Sequence, residues 1–192
     1  DLPEIISSLY RHCRPKIINI PSNGILTQRI VQMVKQICQR CPDIQIVVNL
    51  SIDGIEEQHD EIRNVPNNYQ KVIATYKGLK RLKMPNLAVG IHTVISRFNV
   101  DSFPHIADTL LAINPDSYIT EIAEERNELN NIGHGITPTP LEYRSAIDFL
   151  LHRVRNRKFY GMNRITQSLR IEYYNLVKKI LRDKKQVIPC YA

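Results

Sequence analysis

Four short apolar runs, each separated from the next by a stretch of helical spacing, constrain this chain more than any other feature. Lys16–Ile20 (KIINI), Gln45–Leu50 (QIVVNL), Leu87–Ile95 (LAVGIHTVI) and Ser117–Ile122 (SYITEI) are rich in β-branched residues and read as strands. After the first, Leu26, Ile30, Val31, Val34 and Ile37 recur at helical intervals. After the second, a helix beginning at Pro66 carries Tyr69, Val72, Ile73, Tyr76, Leu79 and Leu82 as one stripe. After the third, a helix from Asp101 to about Ile113 buries Phe103, Ile106, Leu110 and Leu111. Near-continuous apolar strands alternating with helices predict βαβ units, hence an α/β fold with a parallel sheet covered by helices. An open doubly wound sheet and a (βα) barrel both satisfy the pattern. In both, ligands sit beyond the carboxyl ends of the strands. The places to look are Ser22-Asn23-Gly24, Ser51-Ile52-Asp53-Gly54, Thr93 to Asn99, and Glu121 to Arg126.

From Glu124 the alternation stops. A polar loop with Gly133 and Gly135 leads to Thr139-Pro140-Leu141-Glu142, a helix start with threonine as cap, proline next and glutamate three on. Tyr143, Ile147, Leu150, Leu151 and Val154 share one face of that helix. A last helix, about Asn163 to Arg182, carries Leu169, Tyr173, Leu176, Val177 and Ile180. This part is also the basic one. Residues 1–125 hold 13 Lys/Arg against 14 Asp/Glu, whereas residues 126–192 hold 13 against 5. A basic tail can meet nucleic acid or an acidic partner. Here the tyrosines fall on or beside the apolar stripes rather than among exposed cations, which argues for helix packing and against nucleic acid. The run from Arg153 to Lys158 is the most exposed basic patch and reads as a solvated helix end.

No apolar run approaches the roughly 18 residues of a membrane span, and no signal-peptide pattern opens the chain. The four cysteines, Cys13, Cys38, Cys41 and Cys190, form no disulfide framework, so a reducing cytoplasm is the expected setting. Cys38-Gln39-Arg40-Cys41 has CxxC spacing but no second pair to complete a metal site. Neither GxGxxG nor GxxxxGK[ST] occurs, which excludes a Rossmann dinucleotide fingerprint and a P-loop. GxSxG and HExxH are absent too.

The densest chemistry is Asn49 to Arg63, NLSIDGIEEQHDEIR. Ser51 and Asp53 stand at a strand exit, where a hydroxyl and a carboxylate suit ribose hydroxyls. Arg63 can return to the rim and hold a carboxylate or phosphate by a bidentate pair. The residues alone support equally a plain turn at Asp53-Gly54, with Arg63 paired on the surface to Glu61 or Asp60. His59-Asp60 cannot close a metal sphere by itself and reads as a structural hydrogen-bonding pair.

NLSIDGIEEQHDEIR followed by YQKVIATYKGLK resembles the fourth strand and following segment of the radical S-adenosylmethionine superfamily, closest to members with a SPASM-type auxiliary-cluster domain. PSNGIL resembles the third-strand element of that family, GIHTVISRFNVDSF its fifth strand and helix, and VIPCYA the opening of the SPASM region. The resemblance implies a partial (βα)6 TIM-like barrel with parallel strands and outer helices over residues 1–125. A helical segment over 126–185 and the start of a SPASM-type region over 186–192 would come after it. It implies S-adenosylmethionine at the strand ends, with Ser51 on the ribose and Arg63 on the methionyl carboxylate. Asp53, Ser22, Asn23, Thr93 and Ser96 would stand around the cofactor, and the backbone at Ile122 would meet the adenine. Cys190 matches a ligand of an auxiliary iron–sulfur cluster. The implied activity is reductive cleavage to a 5′-deoxyadenosyl radical that abstracts hydrogen from a peptide or small-molecule substrate. An electron donor such as flavodoxin or ferredoxin would serve it.

The family's CxxxCxxC loop, which holds the catalytic 4Fe-4S cluster, is missing from these 192 residues, as is its GGEP segment. DLPEI at residues 1–5 is the kind of sequence found just after that segment. The expectation is therefore a piece of such an enzyme, inactive alone. Two other classes remain open: a cluster-free βα-repeat protein that binds nucleic acid or an acidic partner through its basic helices, and a metal-free barrel enzyme using Arg63 or Arg97 as an anion contact.

Overall fold

The computed structural model describes residues 1–155 and 162–184, with side chains through residue 154 and again from 168. Its elements run along the chain as α1 (Leu2–Cys13), β1 (Ile17–Ser22), α2 (Thr27–Arg40), β2 (Gln45–Ser51), α3 (Glu57–Arg63), α4 (Asn68–Arg81), β3 (Leu87–Ile95), α5 (Phe103–Ala112) and β4 (Ser117–Ile122). A single 3₁₀ turn (Asn127–Leu129), α6 (Pro140–Arg155) and α7 (Met162–Asp183) complete it. The four strands form one parallel sheet in the order β1-β2-β3-β4. The sheet is not closed: β1 and β4 are its two edges. The chain groups into two compact units, residues 1–94 with 108–121 and residues 95–107 with 122 onward.

In the first unit the two faces of the sheet differ sharply. Ile46, Val48, Leu50 and Ile52 of the second strand and its exit are wholly buried, as are Val89, Ile91 and Thr93 of the third. Helix α2 contributes Val34, Ile37 and Cys38 to the buried set, and α4 contributes Val72, Tyr76 and Leu79. On the alternate residues Gln45, Val47 and Ser51 remain partly exposed, and so do Ala88, His92 and Val94, while Asn49 and Gly90 between them are buried. One face is therefore helix-covered and apolar. The other is open within this unit and carries small and polar side chains. That asymmetry is unusual for a parallel sheet, whose two faces are normally both covered.

The turn after β1 shows why its glycine is needed. Gly24 has a φ of 72°, and a Cβ there would stand 2.5 Å from Val72 Cγ2 and 3.0 Å from Val72 Cα. Its carbonyl accepts the Thr75 hydroxyl at 2.6 Å, so the loop is pressed onto α4. Gly24→Ala should therefore lower unfolding free energy by about 2–3 kcal/mol, through strained φ and a backbone clash. Urea denaturation checks this, and a loss near zero would mean that the loop can lift off the helix.

Cys38 and Cys41 lie at the end of α2, inside the core. Burial pushes the Cys38 thiol up to about 11 and raises Cys41 as well, so neither offers a thiolate at neutral pH. The Asn86 side-chain amide donates to the carbonyls of both, at 3.1 and 2.9 Å. Its backbone carbonyl accepts the Ile46 N–H and the Gln45 side chain. The CxxC spacing here falls at a helix end that Asn86 closes.

In the second unit the capping box read from Thr139 and Glu142 forms: Thr139 N–H donates to Glu142 Oε2 at 2.8 Å and Glu142 N–H to Thr139 Oγ1 at 3.3 Å. Tyr143, Ile147, Leu150 and Leu151 are buried on α6 as the spacing predicts. On α7 the buried face is turned from the expected one. Leu169, Tyr173 and Ile180 are exposed, while Tyr174 and Val177 are buried. Among the described side chains of α7, Val177 alone of the expected set is buried. Residues 156–158 of the basic run from Arg153 to Lys158 lie outside the described residues, as does the whole segment 186–192. No helix among the described residues is long and apolar enough to cross a membrane.

Candidate functional site

The exit of β2 folds back on itself through α3, an element with no apolar stripe to announce it. Ser51 is the last residue of the strand; Ile52 and Asp53 then run on buried. Gly54 permits the tight fold-back, since a Cβ there would lie 2.8 Å from the His59 backbone nitrogen. The Asp53 N–H donates to His59 Nδ1 at 3.1 Å, which fixes the imidazole proton on Nε2. His59 is fully buried, with its ring edge-on to Tyr69. Burial holds its pKa below the usual histidine value, partly offset by the Asp53 carboxylate, so the ring is neutral at pH 7.

The Asp53 carboxylate is the hub. Its Oδ1 accepts the Val94 N–H at 2.8 Å, and its Oδ2 pairs with Arg63 Nη2 at 2.5 Å. The Asp53 side chain is 6% exposed and that of Arg63 32%. The surface pairing of Arg63 with Glu61 or Asp60 does not form. Asp60 instead accepts the Tyr69 N–H at 2.7 Å and starts α4. The reason is burial: the carboxylate that most needs a counter-charge is the one removed from water. Asp53 thus positions Arg63, and a third of the guanidinium side chain remains accessible.

The other residues named from sequence divide by strand parity. Register pairs Ser51 with His92, so these two side chains share the open face. Thr93 belongs to the opposite, helix-covered face, where its hydroxyl donates to the Ile52 carbonyl at 2.6 Å and accepts the Tyr118 hydroxyl at 3.2 Å. Its side chain supports the strand ends from behind. Ser22 Oγ accepts the Gly24 N–H and Asn23 Oδ1 accepts the Ile25 N–H, so both shape the turn after β1. In the second unit Ser96 Oγ accepts the Phe98 N–H, and the Ser96 N–H donates to Asn99 Oδ1, a local turn ahead of α5. Ile122 is buried at the end of β4, next to an Ala123 N–H bonded to the Ile95 carbonyl. Cys190 lies outside the described residues.

Several open-face groups are invisible without register. Asn49, buried, donates from Nδ2 to Asn19 Oδ1 at 2.9 Å. Asn49 Oδ1 and Ser117 Oγ both crowd Gly90, at 2.1 and 2.3 Å from where its Cβ would be. Neither atom has a hydrogen-bond partner among the described residues. One step toward the carboxyl ends, His92 Nε2 lies 3.5 Å from Glu121 Oε2. Of the later loop charges, Glu124 pairs with Arg126, and Glu125 accepts the Gly133 and Ile136 N–H groups. Those backbone donors lower the Glu125 pKa. These residues close their own loop.

No family model matches the chain. A stretch of 124 residues is 23% identical to a protein of Methanocaldococcus jannaschii described as "Uncharacterized protein MJ0907". The match takes in 65% of this chain and 43% of that relative, so the chain spans less than half the length of the relative it matches.

Proposed function

We propose that this chain is part of a radical S-adenosylmethionine enzyme, its sheet a portion of a (βα)6 barrel whose lumen is the open face. The observation that carries the reading lies at the carboxyl ends: Ser51 beside His92, with Arg63 anchored on Asp53 two residues after Ser51. Strand order supports it, because β1-β2-β3-β4 advances without the reversal that marks a doubly wound sheet. An uncovered polar face on a parallel sheet is also what a barrel wall presents to its interior.

The two implied groups fare differently. Among the described residues no three Cys, His, Asp or Glu side chains are grouped to hold a metal ion. These residues do not fit the catalytic cluster. S-adenosylmethionine fits better: Asn49 Oδ1 and His92 Nε2 lack a hydrogen bond on the open face, and Gly90 makes room there for the Asn49 and Ser117 side chains. With the complete cofactor bound, the chemistry supplied is hydrogen abstraction from substrate after reductive sulfonium cleavage. In this reading Ser51 hydrogen-bonds the ribose. Arg63 presents its free guanidinium edge to the carboxylate while Asp53 keeps it from swinging away. Thr93 holds β2 and β3 together behind them.

The test is the product of the parent gene, reconstituted anaerobically with iron and sulfide. It should be brown and should cleave S-adenosylmethionine when dithionite is added. Ser51→Ala should weaken cofactor binding roughly 3- to 10-fold, the usual value of one hydrogen bond, and Arg63→Ala by more than about tenfold. A colourless protein, or unchanged affinity in both variants, overturns the proposal.

A further inference from the structure

We infer that His92 and Glu121 form a contact pair for a substrate bearing a protonated amine. This rests on the reading of the open face as the ligand side and extends it from cofactor to substrate. Hydrogen-bonding capacity is the first ground. On this face the Asn49 amide nitrogen is engaged by Asn19, leaving the acceptor Oδ1 unpartnered in a residue 5% exposed. The Ser51 and Ser117 hydroxyls can each accept. Glu121 adds a carboxylate that is 57% exposed, against a His92 side chain 23% exposed. The sheet face is rich in acceptors, and its complement is a ligand rich in N–H donors.

Charge sharpens that to a cation. The carboxylate of Asp53 is matched by Arg63, so the pair is neutral. Glu121 has the His92 imidazole, not a guanidinium, against it. Among the described residues no lysine or arginine pairs with that carboxylate. His92 Nε2 is shielded from water and lacks a hydrogen-bond partner at its 3.5 Å approach to Glu121. An alkylammonium donating to both groups supplies the bridge that direct contact does not.

A titration of the ¹⁵N-labelled chain with cadaverine, followed by amide chemical shifts, tests this, with 1,5-pentanediol as the uncharged probe of equal length. Saturable shifts at Ser51, His92 and Glu121 with the diamine alone are expected. Glu121→Gln should weaken them at least tenfold, and Glu124→Gln, whose carboxylate is paired with Arg126, should leave them unchanged. Equal shifts with the diol, no shifts, or indifference to Glu121→Gln overturns the inference. S-adenosylmethionine affinity of the reconstituted parent protein separates the two proposals. It should survive Glu121→Gln, and a parallel loss would assign the pair to the cofactor and overturn the substrate role. Diamine binding that depends on Glu121 in a protein indifferent to S-adenosylmethionine would sink the proposed function and leave this inference standing.

Discussion

Asp53→Ala is expected to cost about 3 kcal/mol of unfolding free energy. Breaking a buried pair by removing one partner commonly costs about 3–5 kcal/mol. The lower end applies because Arg63 is 32% exposed and water can partly solvate it once released. The change also strips the Val94 N–H of its acceptor, so β3 loses a tie to the exit of β2. Arg63→Ala should cost at least as much, because it strands a carboxylate only 6% exposed without its counter-charge, although Val94 still donates to it. The double variant should fall short of the sum, as residues sharing a contact do. Urea melts of the three variants decide it. A single-variant cost below about 1 kcal/mol would place the pair with ordinary surface ion pairs and remove its positioning role.

Acidification should destabilise the protein through His59. The free imidazole has a reference pKa of 6.5, and the folded one lies lower because burial disfavours its charge. Below pH 6.5 the unfolded chain therefore takes up a proton that the folded chain refuses. Stability is full above 6.5 and declines as pH falls toward the folded pKa, by at most about 1.4 kcal/mol per unit from this group. The chain has five other histidines, so the informative quantity is a difference. His59→Gln cannot titrate, and its urea midpoint should fall less between pH 7 and pH 5.5 than that of the parent. Identical pH slopes would mean that His59 accepts a proton in place and is not locked by the Asp53 N–H.

Much of this architecture is legible along the chain. The four strands and the α2, α4, α5 and α6 helices stand close to where apolar spacing places them, and the cap at Thr139 forms as its residue types demand. The elements that escape have physical reasons for doing so. Helix α3 spans only Glu57–Arg63, seven residues with no stripe, and is held by its ends rather than by an apolar face. The register of β2 against β3 decides which side each residue takes. Thr93 and His92 are neighbours in LAVGIHTVI, yet one lies behind the sheet and the other before it. A continuous apolar run hides that parity, and so conceals His92, Asn49 and Gly90. Asp53 and Arg63 both stand out as residue types at a strand exit, so their pairing is within reach of sequence reasoning. Only the tight passage at Gly54 shows that they meet each other and not the surface acids.

The grip of Asn86 on Cys38 and Cys41 has a consequence for how the molecule can be divided. The sequence looks modular, a strand and a helix repeated, and one would cut it between repeats. Yet the end of α2 and the start of β2 are both secured by a residue that arrives only with β3, some 45 positions later. A fragment ending near Met84 would contain two complete strand–helix pairs and still leave two buried carbonyls and the Ile46 amide without partners. Such a piece should remain loosely ordered until the next strand docks. The repeats are thus tied by contacts distant in sequence, a pattern that slows folding while making it all-or-none.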